Sequence, residues 1–227
     1  MGMSKRLKTL CSLLESAETF ADVGCDHGYC SLYMLENGLC ERVIFSDISK
    51  GSLQKAKTLL APYVESGKAT PVLGDGFFGV PKDTEEVLIA GMGGSEIVSI
   101  LSDKTYGFLP ARFVFQPMHD GEKLRRYLVE QGAQIERDFT FFDGKFYDVI
   151  VGKKSKRAGQ VCDYSDAEYE FGKENLKTFP KAFREKIEKQ LKNTKKYLKE
   201  PTLGENARAE LEAREKKLKG VLNGEIK

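Results

Sequence analysis

The stretch FADVGCDHGYCSL (Phe20–Leu32) decides how the rest of the chain is read. Phe20, Ala21 and Val23 make a short apolar run, and Gly24 and Gly28 bracket the turn that follows. A buried strand running into a glycine turn is how many nucleotide-binding α/β folds begin. Two features separate this turn from a phosphate cradle. It lacks the G-x-G-x-x-G spacing of a dinucleotide fingerprint. It also places Asp26 and His27 where backbone amides would otherwise gather an anion.

Working outward, strand and helix patterns alternate. Ser4 caps a predicted helix with Leu7, Leu10, Leu13 and Leu14 on one face. The strand at 20–24 is followed by a helix over 29–37 that ends near Gly38. RVIFSDI (42–48) is a second strand, SLQKAKTLLAPY (52–63) an amphipathic helix broken at Pro62, and ATPVLGDG (69–76) a third strand. EEVLIAGMGGSEIVSIL (85–101) reads as strand, glycine turn and helix, RFVFQPM (112–118) as a fifth strand, and GEKLRRYLVEQG (121–132) as a helix. Two alternating runs, IERDFTFF and KFYDVIVG, are joined by Asp143-Gly144, a strong signal for a two-residue hairpin.

Apolar strands separated by helices predict an α/β fold with a doubly wound parallel sheet, here closed by an antiparallel hairpin at one edge. This order resembles the Rossmann-like layout of class I S-adenosylmethionine-dependent methyltransferases, although the order alone permits other α/β folds. The expected division is a catalytic domain over 1–155 and a helical coiled-coil hairpin arm over 156–227. KKSKRAGQ (153–160) is a polar linker between them. Leu176, Phe179, Phe183, Ile187, Leu191, Thr194 and Leu198 recur at helical spacing, and Ala207, Leu211, Arg214, Leu218 and Leu222 repeat it after Pro201 and Gly204. The arm is either a solvated coiled coil or a substrate-docking element; its lysine- and arginine-rich outer face favours docking.

Bulk properties narrow the function classes. The 227 residues are 41% hydrophobic and 31% charged, the composition of a globular chain. No apolar run approaches membrane-spanning length, and the start of the chain does not read as a signal peptide. Gly2 is not taken as a lipidation site, since Lys5 and Arg6 fit a helix better. Cys11, Cys25, Cys30, Cys40 and Cys162 form no CxxC pair, which fits a reduced cytoplasmic compartment. Cys25, His27 and Cys30 lack a fourth ligand at zinc spacing, so no metal is expected. The net charge of +2 is uneven: residues 1–155 hold 18 Lys/Arg against 21 Asp/Glu, and residues 156–227 hold 18 against 13. The basic excess of the last third points to an anionic partner. Nothing in the sequence fixes the oligomeric state; a monomer is the working expectation.

In an open parallel sheet, ligands bind beyond the carboxyl ends of the strands. Asp22, Gly24 and Gly28 belong to the first such end, Asp47 with Ile48 beside it to the second, Asp75 and Gly76 to the third, and Gly91, Met92 and Gly93 to the fourth. All ten are expected to bind the cofactor. Asp47 suits ribose hydroxyls and Asp75 the adenine amino group. Asp22 and Asp26 suit a sulfonium cation better than a pyrophosphate, which selects S-adenosylmethionine over a nicotinamide dinucleotide. His119, after the fifth strand, is a further candidate.

RLKTL, ADVGCDHGY, GDG, AGMGG and QPM…LRRYL, in this order over about residues 4–152, resemble the bacterial tRNA (adenine-22-N1)-methyltransferase family, TrmK. The helical hairpin is similar to that family's C-terminal coiled coil. The resemblance implies methyl transfer from S-adenosylmethionine to N1 of an adenosine in the D-loop region of tRNA. Asp26 and His27 are then the expected catalytic pair, orienting the adenine N6 amino group, and Lys5, Arg6 and Lys8 the expected phosphate contacts. Two positions depart from the family pattern: Cys30-Ser31 replace a Leu-Pro pair, and Met118 replaces the asparagine of a Gln-Pro-Asn end. Both bear on target identity rather than on cofactor binding. Two other readings remain: the same fold acting on a small molecule or a protein, and a non-enzymatic S-adenosylmethionine-binding interaction protein.

Overall fold

The computed structural model describes residues 3–155 and 164–226. Gly2, residues 156–160 of the expected linker, and Cys162 lie outside the described residues. Seven strands form one sheet in the order β3-β2-β1-β4-β5-β7-β6. β1 (Ala17–Val23), β2 (Cys40–Asp47), β3 (Ala69–Leu73), β4 (Glu86–Met92) and β5 (Arg112–Pro117) run parallel. β6 (Ala133–Asp143) and β7 (Lys145–Lys154) add the antiparallel edge. The order reverses at β1 and β4, so the switch point falls between the first and fourth strand ends.

Strand alternation sends side chains to two packed faces. Phe20, Phe45, Leu88, Val114 and Val149 meet α1 (Lys5–Cys11), α2 (Tyr29–Glu36) and α3 (Lys50–Leu59) on one face. Val23, Ile89, Phe113, Phe115 and Ile150 meet α5 (Gly94–Leu101) and α6 (Gly121–Glu130) on the other. The helix expected over 52–63 divides at Leu60, where α4 (Ala61–Glu65) begins with Pro62 in its first turn, the one place a proline needs no amide partner.

Two local expectations change. Phe142 pairs with Phe146 and Asp143 with Lys145, and Asp143 keeps a negative φ. The hairpin therefore does not use a two-residue type I′ turn, which needs positive φ at both central residues. The helix expected from Leu176 to Leu198 is also interrupted. α7 (Asp166–Phe171) and α8 (Lys173–Thr178) precede it, Phe179 turns left-handed at φ 45°, and Pro180 caps α9 (Lys181–Tyr197). A residue before proline is steered away from the α region, which is why the periodic pattern could not stay helical there.

α9 and α10 (Glu205–Leu222) form the antiparallel pair, with Phe183, Ile187, Leu218 and Val221 buried between them and α7. A buried ion pair fastens this unit to the sheet. Arg125 of α6 donates through Nε and Nη2 to both oxygens of Asp138 on β6, each at 2.8 Å, and through Nη1 to the carbonyls of Tyr169 and Glu170. Thr140 and Asn175 add reciprocal bonds between β6 and α8.

Candidate cofactor and acceptor site

The carboxyl ends of β1, β2, β3 and β4 bring the expected cofactor residues to one edge of the sheet. Gly24 leaves β1 at φ 72°, and both its amide and that of Cys25 donate to the Ser46 carbonyl of β2. A side chain at Gly24 would strike the Met92 methyl, 2.3 Å from the place of its Cβ, so Met92 lies directly over the first turn. Asp47 accepts from the amide of Asp26 through Oδ2 (3.1 Å) and from that of Ser49 through Oδ1 (2.8 Å). Its carboxylate thus stitches the first loop to the second and keeps lone pairs for two more donors. Ile48 is 69% exposed beside it. Asp75 is exposed and Gly76 follows it on the rim of a cleft of about 650 Å³ shared with Phe78, Glu96 and Tyr106.

Asp26 adopts a left-handed φ of 48°, rare for a residue with a side chain. Its Oδ2 sits 2.7 Å from His27 Nδ1, and the His27 ring stacks on Tyr29. Both members of the pair are open to solvent, with side-chain exposures of 67% and 41%. A ring proton on Nδ1 directed at Asp26 leaves Nε2 free to accept.

Asp22 is placed differently from the other carboxylates. It is 4% exposed, beneath the first loop rather than on it, and its Oδ2 accepts from Ser31 Oγ at 2.8 Å. Burial pushes its carboxyl up to about 6, against the opposing effect of the Ser31 bonds. Ser31, in the first of the two departures from the family pattern, is therefore the hydroxyl that steadies Asp22. Cys30 beside it has its Sγ 3.8 Å from that of Cys11 on α1.

The glycine turn after β4 is closed against the loop after β5. Gly94 donates to the His119 carbonyl (2.8 Å) and Met118 donates to the Met92 carbonyl (2.8 Å). His119 and Asp120 approach each other at 3.3 Å, and Ser95 Oγ donates to Asp120 (2.8 Å). Lys5 and Lys8 are exposed on α1, but Arg6 does not share their outlook. It turns inward, donating from Nε to Gln116 Oε1 at 2.7 Å, with its guanidinium 5.5 Å from the Tyr147 ring centroid. Of the three expected phosphate contacts, Lys5 and Lys8 thus project from the surface and Arg6 is half-buried. The signal was present in the helix: Arg6 precedes Leu10 by four residues and shares its buried face.

A sheet of this order with an acidic, glycine-lined switch point fits the class I methyltransferase fold. Residues 20–223 match the family described as TrmK: tRNA (adenine(22)-N(1))-methyltransferase. The Bacillus subtilis tRNA (adenine(22)-N(1))-methyltransferase is 30% identical over 162 residues, 69% of this chain and 67% of that protein. The chain belongs to this family. The crystal structure of the B. subtilis m1A22 tRNA methyltransferase TrmK superposes with a TM-score of 0.82 at 26% identity, covering 97% of this chain and 99% of that one. M. capricolum TrmK in complex with S-adenosyl-homocysteine shares the fold, with a TM-score of 0.83 at 21% identity over 99% of both chains. Among the described residues, no helix is long and apolar enough to cross a membrane.

Proposed function

We propose that the strand-end loops carry out the family's reaction, methylation of N1 of adenosine 22 in tRNA with S-adenosylmethionine as donor. The observation that carries this reading is the stitched pair of loops. Asp47 is fixed at the β2 end by two amides with capacity left over, the Gly24 turn lies beside it, and Gly91 leaves β4 across the switch point. Glycine at both turns lets the backbone approach a ligand closely. Asp47 would hold the ribose, Ile48 and Gly76 would flank the adenine, and Asp75 would accept from its amino group. Gly28, Met92 and Gly93 complete the floor of the site, and the buried charge of Asp22 suits a cationic ligand. When bound, S-adenosylmethionine supplies an electrophilic methyl group for in-line displacement.

The protein's own contribution is alignment and electrostatics. Adenine N1 has a lone pair in the neutral base, so no base is needed before attack. It is engaged in pairing or stacking in folded RNA, so the nucleotide must be turned out to reach the site. His27 Nε2 and the Asp26 carboxylate face outward together and would accept from the N6 amino group, aiming N1 at the methyl. The turn Gly91–Gly94 would border the base. Lys5 and Lys8 would contact phosphates on one side. On α9, Lys186 is committed to Asp148 and Lys189 lies over the Phe146 ring. Lys192, Lys195, Lys196 and Lys199 line an open groove and are the cations offered to RNA. The arm from 156 onward would thus dock tRNA, and the enzyme would work as a monomer in the cytoplasm, where its substrate is found.

Asp26→Ala tests the site. At saturating cofactor, turnover on tRNA should fall about 100-fold, the range of a lost positioning contact, with cofactor affinity little changed. Full activity would remove Asp26 from the acceptor side.

A further inference from the structure

The hairpin of β6 and β7 reaches past the sheet edge that carries the strand-end loops. β7 pairs with β5 as far as Ile150 opposite Phe115, and β5 ends two residues later at Pro117. Lys145, Phe146 and Tyr147 therefore stand beyond the end of β5, by about 10 Å at the usual rise of a strand.

The tip of this hairpin lies between two regions that the proposed reaction gives to RNA. On one side, Asp143 Oδ2 accepts from the Arg6 amide at 2.8 Å, and Arg6 Nη2 lies 3.0 Å from the place a Cβ would occupy on Gly91, in the turn set against the target base. On the other side is α9. Its Lys186 pairs with Asp148, and Lys189 Nζ lies 5.9 Å from the centre of the Phe146 ring. Lys192, Asn193 and Lys196 follow Lys189 at helical spacing and carry the basic stripe into the open groove of the arm.

Strand alternation sorts the aromatic rings of the hairpin between its two faces. Phe141 and Tyr147 stack on each other and belong to the core beneath α1. Phe142 and Phe146 fall on the face that meets α8 and α9, with ring centroids 5.0 Å apart. Phe142 is 43% exposed, and Lys145 beside it is exposed as well. A lone exposed aromatic is ordinary. A ring braced by a second ring, flanked by cations and set beside the acceptor loops is the arrangement that single-stranded nucleic acid requires: aromatic faces for bases and cations for the backbone.

We propose that Phe142 stacks on the tRNA base next to the adenosine that is turned out for methylation, with Phe146 as its positioning residue. The proposal rests on tRNA being the substrate and deepens that reading. Turning a nucleotide out strips its neighbour of a stacking partner. Phe142 replaces that partner, and Lys145 and Lys189 meet the phosphates on either side.

Methylation kinetics and a fluorescent base test it. Phe142→Ala and Phe142→Leu should each lower kcat/KM for tRNA about 10- to 100-fold, the worth of one base stacked on an aromatic ring, and Phe142→Tyr should stay within about 2-fold of the parent. Leucine keeps the apolar packing on Phe146, so its loss separates stacking from burial. S-adenosylhomocysteine affinity, measured by calorimetry, should be unchanged in all three variants. In tRNAs carrying 2-aminopurine at either nucleotide flanking adenosine 22, one of the two probes should be quenched by the parent and stay bright with Phe142→Leu. Phe146→Leu should lose part of that quench and Phe146→Tyr should keep it. Full activity in Phe142→Ala or Phe142→Leu would overturn the proposal, as would identical probe signals for parent and Phe142→Leu. Weakened S-adenosylhomocysteine binding in step with the loss of activity would make Phe142 a structural residue and overturn it too. A parent protein that leaves tRNA unmethylated would instead overturn the substrate reading beneath it.

Discussion

Asp22→Asn should change how folding stability responds to pH. The Asp22 carboxyl is held at about 6 by burial, whereas an unfolded chain returns it to the ordinary aspartate value near 3.9. Between these values the folded protein keeps a proton that the unfolded chain has released. Stability from this group is therefore greatest below about pH 4, falls as pH rises through the window, and reaches its low plateau above about 6. Each pH unit across the window is worth about 1.4 kcal/mol, so the full fall is about 3 kcal/mol. Asparagine keeps an oxygen for the Ser31 hydroxyl and has no proton to exchange, so the variant should lack this fall. Glu86, raised by burial to about 7, acts in the same sense but is present in both proteins and cancels in the difference. Urea unfolding of both proteins from pH 4 to 7 measures the effect. Because part of the fall lies below pH 4, the stability of the variant relative to the parent should rise by about 2 kcal/mol across the range, whatever constant offset the new amide adds. Parallel pH profiles would refute the assignment of a buried, high-pKa carboxyl beneath the first loop.

The buried pair between α6 and β6 should be costly to break from one side. Arg125→Leu leaves Asp138 without its cation in the interior and should lower stability by about 3–5 kcal/mol in urea unfolding, while adding Asp138→Leu should restore part of the loss. The two inner glycines of the β4 turn should differ. A methyl group on Gly94 would meet the backbone carbonyl of Asp120 at 2.2 Å, whereas one on Gly93 would meet the exposed His119 ring at 2.6 Å. Gly94→Ala should abolish methyl transfer; the loss in Gly93→Ala should be relieved by a second change, His119→Ala, in a methylation assay.

The sheet was readable because its signals are local and repeated. Buried strands such as VLIA and FVF, separated by helical patterns, leave few topologies once crossover connections are counted. The hairpin at Asp143-Gly144 was found, but not its turn, because a dipeptide reports that the chain reverses and not which residues pair. The break at Phe179 was hidden by the regular spacing of Leu176, Phe183 and Ile187, although Pro180 was in view. At the site, residue types were legible and directions were not. Asp22 and Asp26 are equally acidic in sequence, yet one lies under the loop against Ser31 and the other stands open beside His27. Ser31 and Gln116 act through other side chains, and a single sequence gives no sign of a partner that lies nine or more residues away.

The central claim is that this chain methylates N1 of adenosine 22. Unmodified tRNA transcript, incubated with the protein and labelled S-adenosylmethionine, should yield 1-methyladenosine on nucleoside mass spectrometry. Because the new methyl group blocks the Watson–Crick edge, primer extension should stop at position 22. A digest with no methylated nucleoside, or a stop at a different position, would contradict the account.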